Sequence, residues 1–298
     1  MFALIDMLRP FNCLMACIGV FIGWLVTSGF DIFSPMLLLA AVIAFMITGA
    51  GNVINDYIDV ESDRVNRPKR PIPSGKVSKD AAFAFAVALF MAGMILSLFI
   101  SLPVFLLAVV NSVLLILYSM TLQDKLLLGN VTIGYLVGSV FLFGGLAANN
   151  PGMLLSPVTL FMLAMLSTIS REIVKDLEDV EGDKLGFLKR ITQNVRKKIA
   201  DRFRLGKQGV ELRLGNDSMT VMAMTLLGIA VVLSFIPYYY GMFSAWYLFV
   251  ILISDAVFLH CIYLLGRRNK SRYYAKISRR MKFGMLIAML AFIAGVLA

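Results

Sequence analysis

Two stretches of this chain carry the same acidic spacing, Asp56-x-x-Asp59-x-x-x-Asp63 and Asp176-x-x-Asp179-x-x-x-Asp183. Their wording agrees further, since each contains Asp-Val-Glu-x-Asp followed by a cation, Arg64 in one and Lys184 in the other. On a helix advancing about 100° per residue, positions i, i+3 and i+7 fall within roughly 60° of one another, so each triplet can present its carboxylates on one face. Oxygen ligands without a partnering His or Cys suit a hard cation and favour Mg2+ over zinc. Mg2+ is usually held by few protein carboxylates, with water and substrate phosphates completing its octahedron. Two clusters with Mg2+ between them therefore make a receptor for a diphosphate. Cations for the remaining phosphate oxygens flank both motifs: Arg64, Arg67, Lys69 and Arg70 after the first, Arg171 and Lys175 before the second. A solvated acidic loop is the plain alternative, but a matched pair, each closing an apolar run (40–54 and 162–174), is far more specific than a single DxxD.

The elements that position these residues follow from composition. A chain of 298 residues with 59% hydrophobic and 15% charged residues departs from soluble domains, which carry about 25% charge, and reads as an all-α polytopic membrane protein. Residues 1–8 are not expected to be a cleavable signal, because Asp6 interrupts them and no small-residue cleavage site follows a short apolar core. Cys13 and Cys17 share one apolar helix and Cys261 is remote, which suggests neither a disulfide framework nor a zinc site. Four intervals lack Lys and Arg: 10–63, 80–124, 126–170 and 214–266. One crossing takes about 20 residues, so each interval fits an out-and-back hairpin. Breakers sit near the middle of each, at Ser34-Pro35, Ser101-Leu102-Pro103, Asn149-Asn150-Pro151-Gly152 and from Pro237 to Gly241. With the apolar run 283–298, about nine transmembrane helices are expected around a central cavity.

All 28 Lys and Arg then fall on one side, at Arg9, 64–79, Lys125, 171–213 and 267–282. The positive-inside rule makes that side cytoplasmic, with the N-terminus and both acidic motifs on it. The net charge of +10 describes this face and needs no nucleic acid, since anionic headgroups or a phosphorylated substrate suffice. The two motifs stand 120 residues apart and close helices 2 and 6. The chain therefore reads as one transmembrane domain, 1–298, of two tandem four-helix halves, about 9–125 and 126–266, with the ninth helix outside the repeat. An axis along the membrane normal would bring the two motifs face to face. A metal-ion or organic-anion transporter is the rival from another class; transport sites, however, place ionisable groups near the bilayer midplane on broken helices.

The stretch Asn52-Val-Ile-Asn55-Asp56-Tyr-Ile-Asp59-Val-Glu-Ser-Asp63-Arg-Val-Asn66-Arg67-Pro-Lys-Arg70-Pro-Ile-Pro-Ser-Gly75 resembles the first signature of the UbiA superfamily of intramembrane prenyltransferases, and Arg171-Glu-Ile-Val-Lys-Asp176-Leu-Glu-Asp179-Val-Glu-Gly-Asp183 resembles the second. Arg9-Pro10-x-Asn12 at the start of helix 1, and Tyr118 with Lys125 after helix 4, fit as well, so the resemblance runs over residues 9–265. Within the family, the second motif is most similar in wording to the archaeal digeranylgeranylglyceryl phosphate synthases. The resemblance implies that Mg2+ bridges both carboxylate clusters and the diphosphate of an allylic isoprenyl donor, and that the bond to diphosphate breaks toward an allylic cation. The free hydroxyl of geranylgeranylglyceryl phosphate, a lipid-like phosphorylated acceptor, then captures that cation to give an ether-lipid precursor in the bilayer. An aromatic acid, a chlorin or a haem is the alternative acceptor.

The resemblance ranks Asp56, Asp59, Asp179 and Asp183 first among the aspartates, with Asp63 and Asp176 behind them. Asn12, Asn52 and Asn55 are substrate-binding candidates; for the last two, hydrogen bonding at a helix end is the alternative. Tyr118 either reaches the diphosphate or belongs to an interfacial aromatic belt. Lys125 is read as a phosphate contact, though its place in the loop alone could account for it. Asp255 and His260 lie inside helix 8, where an ionisable group is a functional candidate by default, but their i, i+5 spacing does not suit a joint relay. One departure concerns residues 184–216, a basic stretch longer than the family pattern. Leu188, Ile191, Val195, Ile199 and Phe203 recur there every 3–4 residues opposite Arg196, Lys197, Lys198, Arg202 and Arg204. Two readings fit: an amphipathic helix on anionic headgroups, or a cytoplasmic cap whose cations help hold the phosphorylated acceptor. Deletion of residues 190–204 separates them, because a cap raises the acceptor KM, whereas an unchanged KM in detergent leaves only the membrane anchor.

Overall fold

The computed structural model describes residues 2–29, 31–123, 125–190, 216–267 and 271–297. A short α1 (Phe2–Leu8) leads into α2 (Pro10–Ser28), α3 (Pro35–Ile58), α4 (Val60–Asn66), α5 (Lys79–Leu98) and α6 (Leu102–Leu117), which ends in one π-turn, Tyr118–Leu122. Then come α7 (Leu126–Ala147), α8 (Leu155–Arg190), α9 (Asn216–Leu233), the single turn α10 (Ile236–Tyr239), α11 (Ala245–Gly266) and α12 (Ser271–Leu297). Among the described residues eight helices are long and apolar enough to cross a membrane. The hairpin breakers act as helix starts. Ser34 and Ser101 accept hydrogen bonds from Met36 N and Val104 N at 3.3 and 3.4 Å, and prolines with preset φ follow at the first turn.

Two lengths refine the sequence reading. The ninth helix is continuous over 27 residues from Ser271, so a basic first third precedes the apolar run expected at 283–298. Helix α8 has 36 residues, or about 54 Å at 1.5 Å per residue, well beyond a hydrocarbon core of about 30 Å. Its C-terminal extension carries the second motif and the first residues of the basic stretch. Residues 191–215, most of that stretch, lie outside the described residues.

Packing repeats in a consistent order. Helix α2 packs on α3 as α7 packs on α8, α3 on α5 as α8 on α9, and α5 on α6 as α9 on α11. Across the middle, α2 packs on α7, with α3 against α7 and α2 against α8. Where α6 meets α7 there is a further contact; at the matching place between α11 and α2 stands α12, which packs on both. Three apolar clusters result: one around Val20, Ile43, Ala86 and Ala108, one around Ile173, Leu227 and Met281, and one around Ile22, Phe141, Tyr247 and Phe292. Large side chains such as Phe83, Leu106, Val232 and Phe249 stay exposed, as a surface solvated by lipid tails requires.

The central α2–α7 contact is backbone against backbone. A Cβ on Gly23 would stand 1.9 Å from the Phe141 carbonyl oxygen, and one on Gly144 2.0 Å from that of Val20. Small residues permit such approach in membranes, where no hydrophobic force drives helices together. Gly23→Ala and Gly144→Ala are each expected to cost about 1–3 kcal/mol through overpacking, lowering the unfolding midpoint in detergent. Gly228→Ala, in open space on α9, should leave the midpoint unchanged or higher, because alanine is the better helix former.

Candidate active site

The first acidic motif straddles a small break. Helix α3 stops at Ile58, Asp59 caps it with φ −79° and ψ 4°, and α4 restarts at Val60. Backbone bonds run on through the break (Asp59 N to Asn55 O, Asp63 N to Asp59 O), so Asp56 and Asp63 stay on one face about two turns apart. Both are almost wholly buried, at 4% and 5% exposure. Arg70 Nη1 donates to Asp56 Oδ1 at 2.9 Å and to Asp63 Oδ2 at 2.5 Å. Its loop, 67–78, is stiffened by Pro68, Pro71 and Pro73, anchored by buried Ile72 and Val77, and turned at Gly75, whose φ is +75°. Arg9 reaches the same Asp56 Oδ1 at 2.6 Å from a left-handed conformation (φ 52°), a costly backbone state for a non-glycine residue that the α1–α2 corner maintains.

Asp59 is held differently. Its two oxygens accept from Asn55 Nδ2 and Gln123 Nε2, each at 3.1 Å, and Gln123 Oε1 in turn accepts from Asn55 at 3.3 Å. In the second motif the helix does not break. At about 100° per residue, Glu172, Asp176, Asp179 and Asp183 fall within roughly 60° on α8, so the acidic stripe begins one turn before the motif. Glu172 is buried at 7%; it accepts from Arg171 and, at 2.7 Å, from Lys175 Nζ. Asp176 Oδ2 accepts from Asn130 Nδ2 at 2.6 Å. The side chains of Asp179 and Asp183 lie outside the described residues.

The connection between α6 and α7 thus touches the first motif through Gln123, and the start of α7 touches the second through Asn130. Of the other sequence candidates, Tyr118 opens the π-turn in this connection and is half-buried, and Lys125 is exposed. Asn52 donates to Leu8 O at 2.7 Å and so ties α3 to α1, the helix-end alternative. Asn12 and Arg67 are exposed, and Arg64 pairs with Glu61 on the surface at 3.0 Å. Asp255 accepts from Ser234 Oγ at 2.8 Å, and the Tyr247 hydroxyl donates to Ser234 O at 2.6 Å, a helix-to-helix bond inside the apolar core. Sequence reasoning missed Gln123, Asn130 and Glu172. Only Glu172 carried a signal, its place at i−4 and i−7 from Asp176 and Asp179.

The donor set fits Mg2+. Among the described residues no three or more His, Cys, Asp and Glu side chains form a ready-made cation cage. Asp56 Oδ2 and Asp63 Oδ1 accept no hydrogen bond among the described residues, leaving one hard oxygen on each for such an ion.

Residues 16–287 match the model of the UbiA prenyltransferase family. The chain belongs to this family. It is 38% identical over 294 residues to the digeranylgeranylglyceryl phosphate synthase of Methanocaldococcus jannaschii, covering 98% of this chain and 95% of the relative. A solved structure concerned with digeranylgeranylglyceryl phosphate synthase in membranes superposes with a TM-score of 0.85 at 38% identity, over 99% of this chain and 97% of the other. A UbiA homolog from Archaeoglobus fulgidus, solved bound to GPP and Mg2+, shares the fold with a TM-score of 0.57 at 14% identity, over 96% of this chain and 99% of that one.

Within this UbiA prenyltransferase, the Arg70 pairs are far more buried than the Arg64 pair. The side chains of Arg70, Asp56 and Asp63 are 17%, 6% and 7% exposed, against 61% and 75% for Arg64 and Glu61. Arg70→Gln is expected to destabilise by about 3–5 kcal/mol, since it strands the buried Asp63 carboxylate and leaves Asp56 with Arg9 alone. Arg64→Gln should stay within about 0.5 kcal/mol. Unfolding midpoints of the two variants in one detergent test the contrast.

Proposed function

We propose that this prenyltransferase moves a geranylgeranyl group from geranylgeranyl diphosphate to the free hydroxyl of geranylgeranylglyceryl phosphate, forming digeranylgeranylglyceryl phosphate. The observation that carries the reading is the near full-length likeness to a synthase named for that product. The paired acidic motifs, the first with Arg9 and Arg70 on it and the second one turn after Glu172 with Arg171 and Lys175, support it independently, because they suit a diphosphate donor. We take Asp56, Asp59 and Asp63 with Asp176, Asp179 and Asp183 as the residues that would hold Mg2+. When bound, Mg2+ supplies positive charge against the diphosphate oxygens, so that the leaving anion is stabilised as it departs.

The chain's own groups do the rest. Arg70 and Arg9, on Asp56, and Arg171 and Lys175, on Glu172, are placed to turn toward the remaining diphosphate oxygens as their negative charge grows. Tyr118 and Lys125, in the connection that carries Gln123 and leads into α7 with Asn130, are the further phosphate contacts. The carbon–oxygen bond breaks with its electron pair passing to the diphosphate, and the acceptor hydroxyl oxygen donates a pair to the allylic carbon and releases its proton. The apolar helices exclude water that would otherwise capture the cation. We further infer that the two halves, 9–125 and 126–266, are tandem repeats, supported by the matched contact order of α2–α6 and α7–α11. The motifs are assigned to the cytoplasmic face, supported by the one-sided distribution of Lys and Arg.

Purified protein given geranylgeranyl diphosphate with geranylgeranylglyceryl phosphate should yield the ether product with Mg2+ and none with EDTA; 4-hydroxybenzoate in parallel should yield nothing. Asp56→Asn and Asp176→Asn should each lower kcat by about 100-fold or more, the scale of losing one charge-stabilising group. Diphosphate release that persists in EDTA, or product from 4-hydroxybenzoate alone, would overturn the reading.

A further inference from the structure

Helices α11 and α12 lie side by side, and an open groove of about 430 Å³ runs between them, lined by Ile253, Ala256, Val257 and His260 of α11 and by Arg280 and Phe283 of α12. The four α11 residues are spaced i, i+3, i+4 and i+7, one stripe along the helix, so the groove extends about 10 Å at 1.5 Å per residue. Its two ends differ. Toward the α11–α12 loop, Arg280 Nη1 lies 2.8 Å from His260 Nε2. With arginine as the obligatory donor, the imidazole accepts at Nε2 and keeps an N–H at Nδ1. Toward the middle of the helices, Ile253, Ala256 and Val257 offer only hydrocarbon, and Ile253 and Ala256 are exposed.

The charge at the polar end is not neutralised by any carboxylate among the described residues. Among the described residues, no Asp or Glu pairs with Arg280. A guanidinium keeps its proton under all ordinary conditions, so a full positive charge sits beside Phe283 where the apolar run of α12 begins. The nearby exposed Lys276, Arg279 and Lys282 add to the positive field rather than offset it. A cation at the boundary of the hydrocarbon, above an apolar channel open to the side, is complementary to one amphiphile. That amphiphile has an anionic head at interface depth and a chain beneath it.

We propose that this groove binds an anionic membrane lipid. Its phosphodiester head would accept from the Arg280 guanidinium and His260 Nδ1–H, and one chain would lie along Ile253, Ala256, Val257 and Phe283. None of these residues belongs to the acidic motifs or to the groups assigned to the transfer reaction, so the lipid site stands or falls separately from that reaction.

Delipidated protein in detergent would be titrated with phosphatidylglycerol, phosphatidylcholine or inorganic phosphate. Retained lipid is read by native mass spectrometry and the unfolding midpoint by a thermal melt. Phosphatidylglycerol should be retained and raise the midpoint, and the other two should do neither. Arg280→Gln should weaken phosphatidylglycerol binding by about tenfold or more, the value of a charge-assisted hydrogen bond. Ala256→Trp, which fills the groove from an exposed position with every charge intact, should cause a comparable loss and decides the matter if Arg280→Gln does not fold. Arg279→Gln, outside the groove, should bind like the unaltered protein. Equal retention of phosphatidylcholine, a full midpoint shift from phosphate alone, or undiminished binding by Ala256→Trp would overturn the proposal.

Discussion

Asp56 and Asp63 carry like charges, are both almost wholly buried, and coexist through the guanidinium of Arg70, which donates to each. Removing a carboxylate from water costs several kcal/mol, and two side by side at the end of an apolar helix are costlier still. Much of the surrounding structure answers that cost. A proline-braced loop fixes Arg70, and a strained corner at Arg9 delivers a second cation to Asp56. Backbone bonds that run on through the break at Asp59 keep Asp63 within reach of the same guanidinium as Asp56. The second motif meets the same problem differently, on an unbroken helix whose buried Glu172 gathers Arg171 and Lys175.

Much of this was legible in the sequence, and the exceptions share a cause. Apolar runs, cation-free intervals and Ser-Pro breakers are patterns spread over many residues, and they located the spanning helices and their caps. The duplicated acidic spacing pointed to the candidate site. Gln123 and Asn130 were not legible because each is a single uncharged amide whose partner is more than 40 residues away in the chain, and no spacing records such a contact. Arg171 and Lys175 were legible as cations but not as partners of Glu172, since a charged run does not say which of its members is buried. The early start of α12 escaped because its first third is basic, and hydropathy follows composition rather than helix continuity.

The link between α6 and α7, with the first turns of α7, joins the two motifs more directly than their sequence likeness does. Its π-turn, Tyr118–Leu122, widens the end of α6, a local change that often accompanies functional positions in helices. From there Gln123 reaches Asp59, and seven residues on, Asn130 reaches Asp176. One short segment therefore sets the relative position of two clusters that lie 120 residues apart in the chain.

The contact of α2 with α7 through Gly23 and Gly144 also bears on how the molecule can deform. Backbone pressed on backbone has no rotamers to rearrange, and a slide of even an ångström drives a carbonyl into a neighbouring chain. Helices at the rim have no such lock: in α5 and α6 only 28% of the most apolar stretch is buried, against 56% in α2 and α3. Mechanical compliance is therefore unequal across the protein. The seam behaves as a rigid spine, and deformation is accommodated more readily by tilting the peripheral helices about it than by parting α2 from α7.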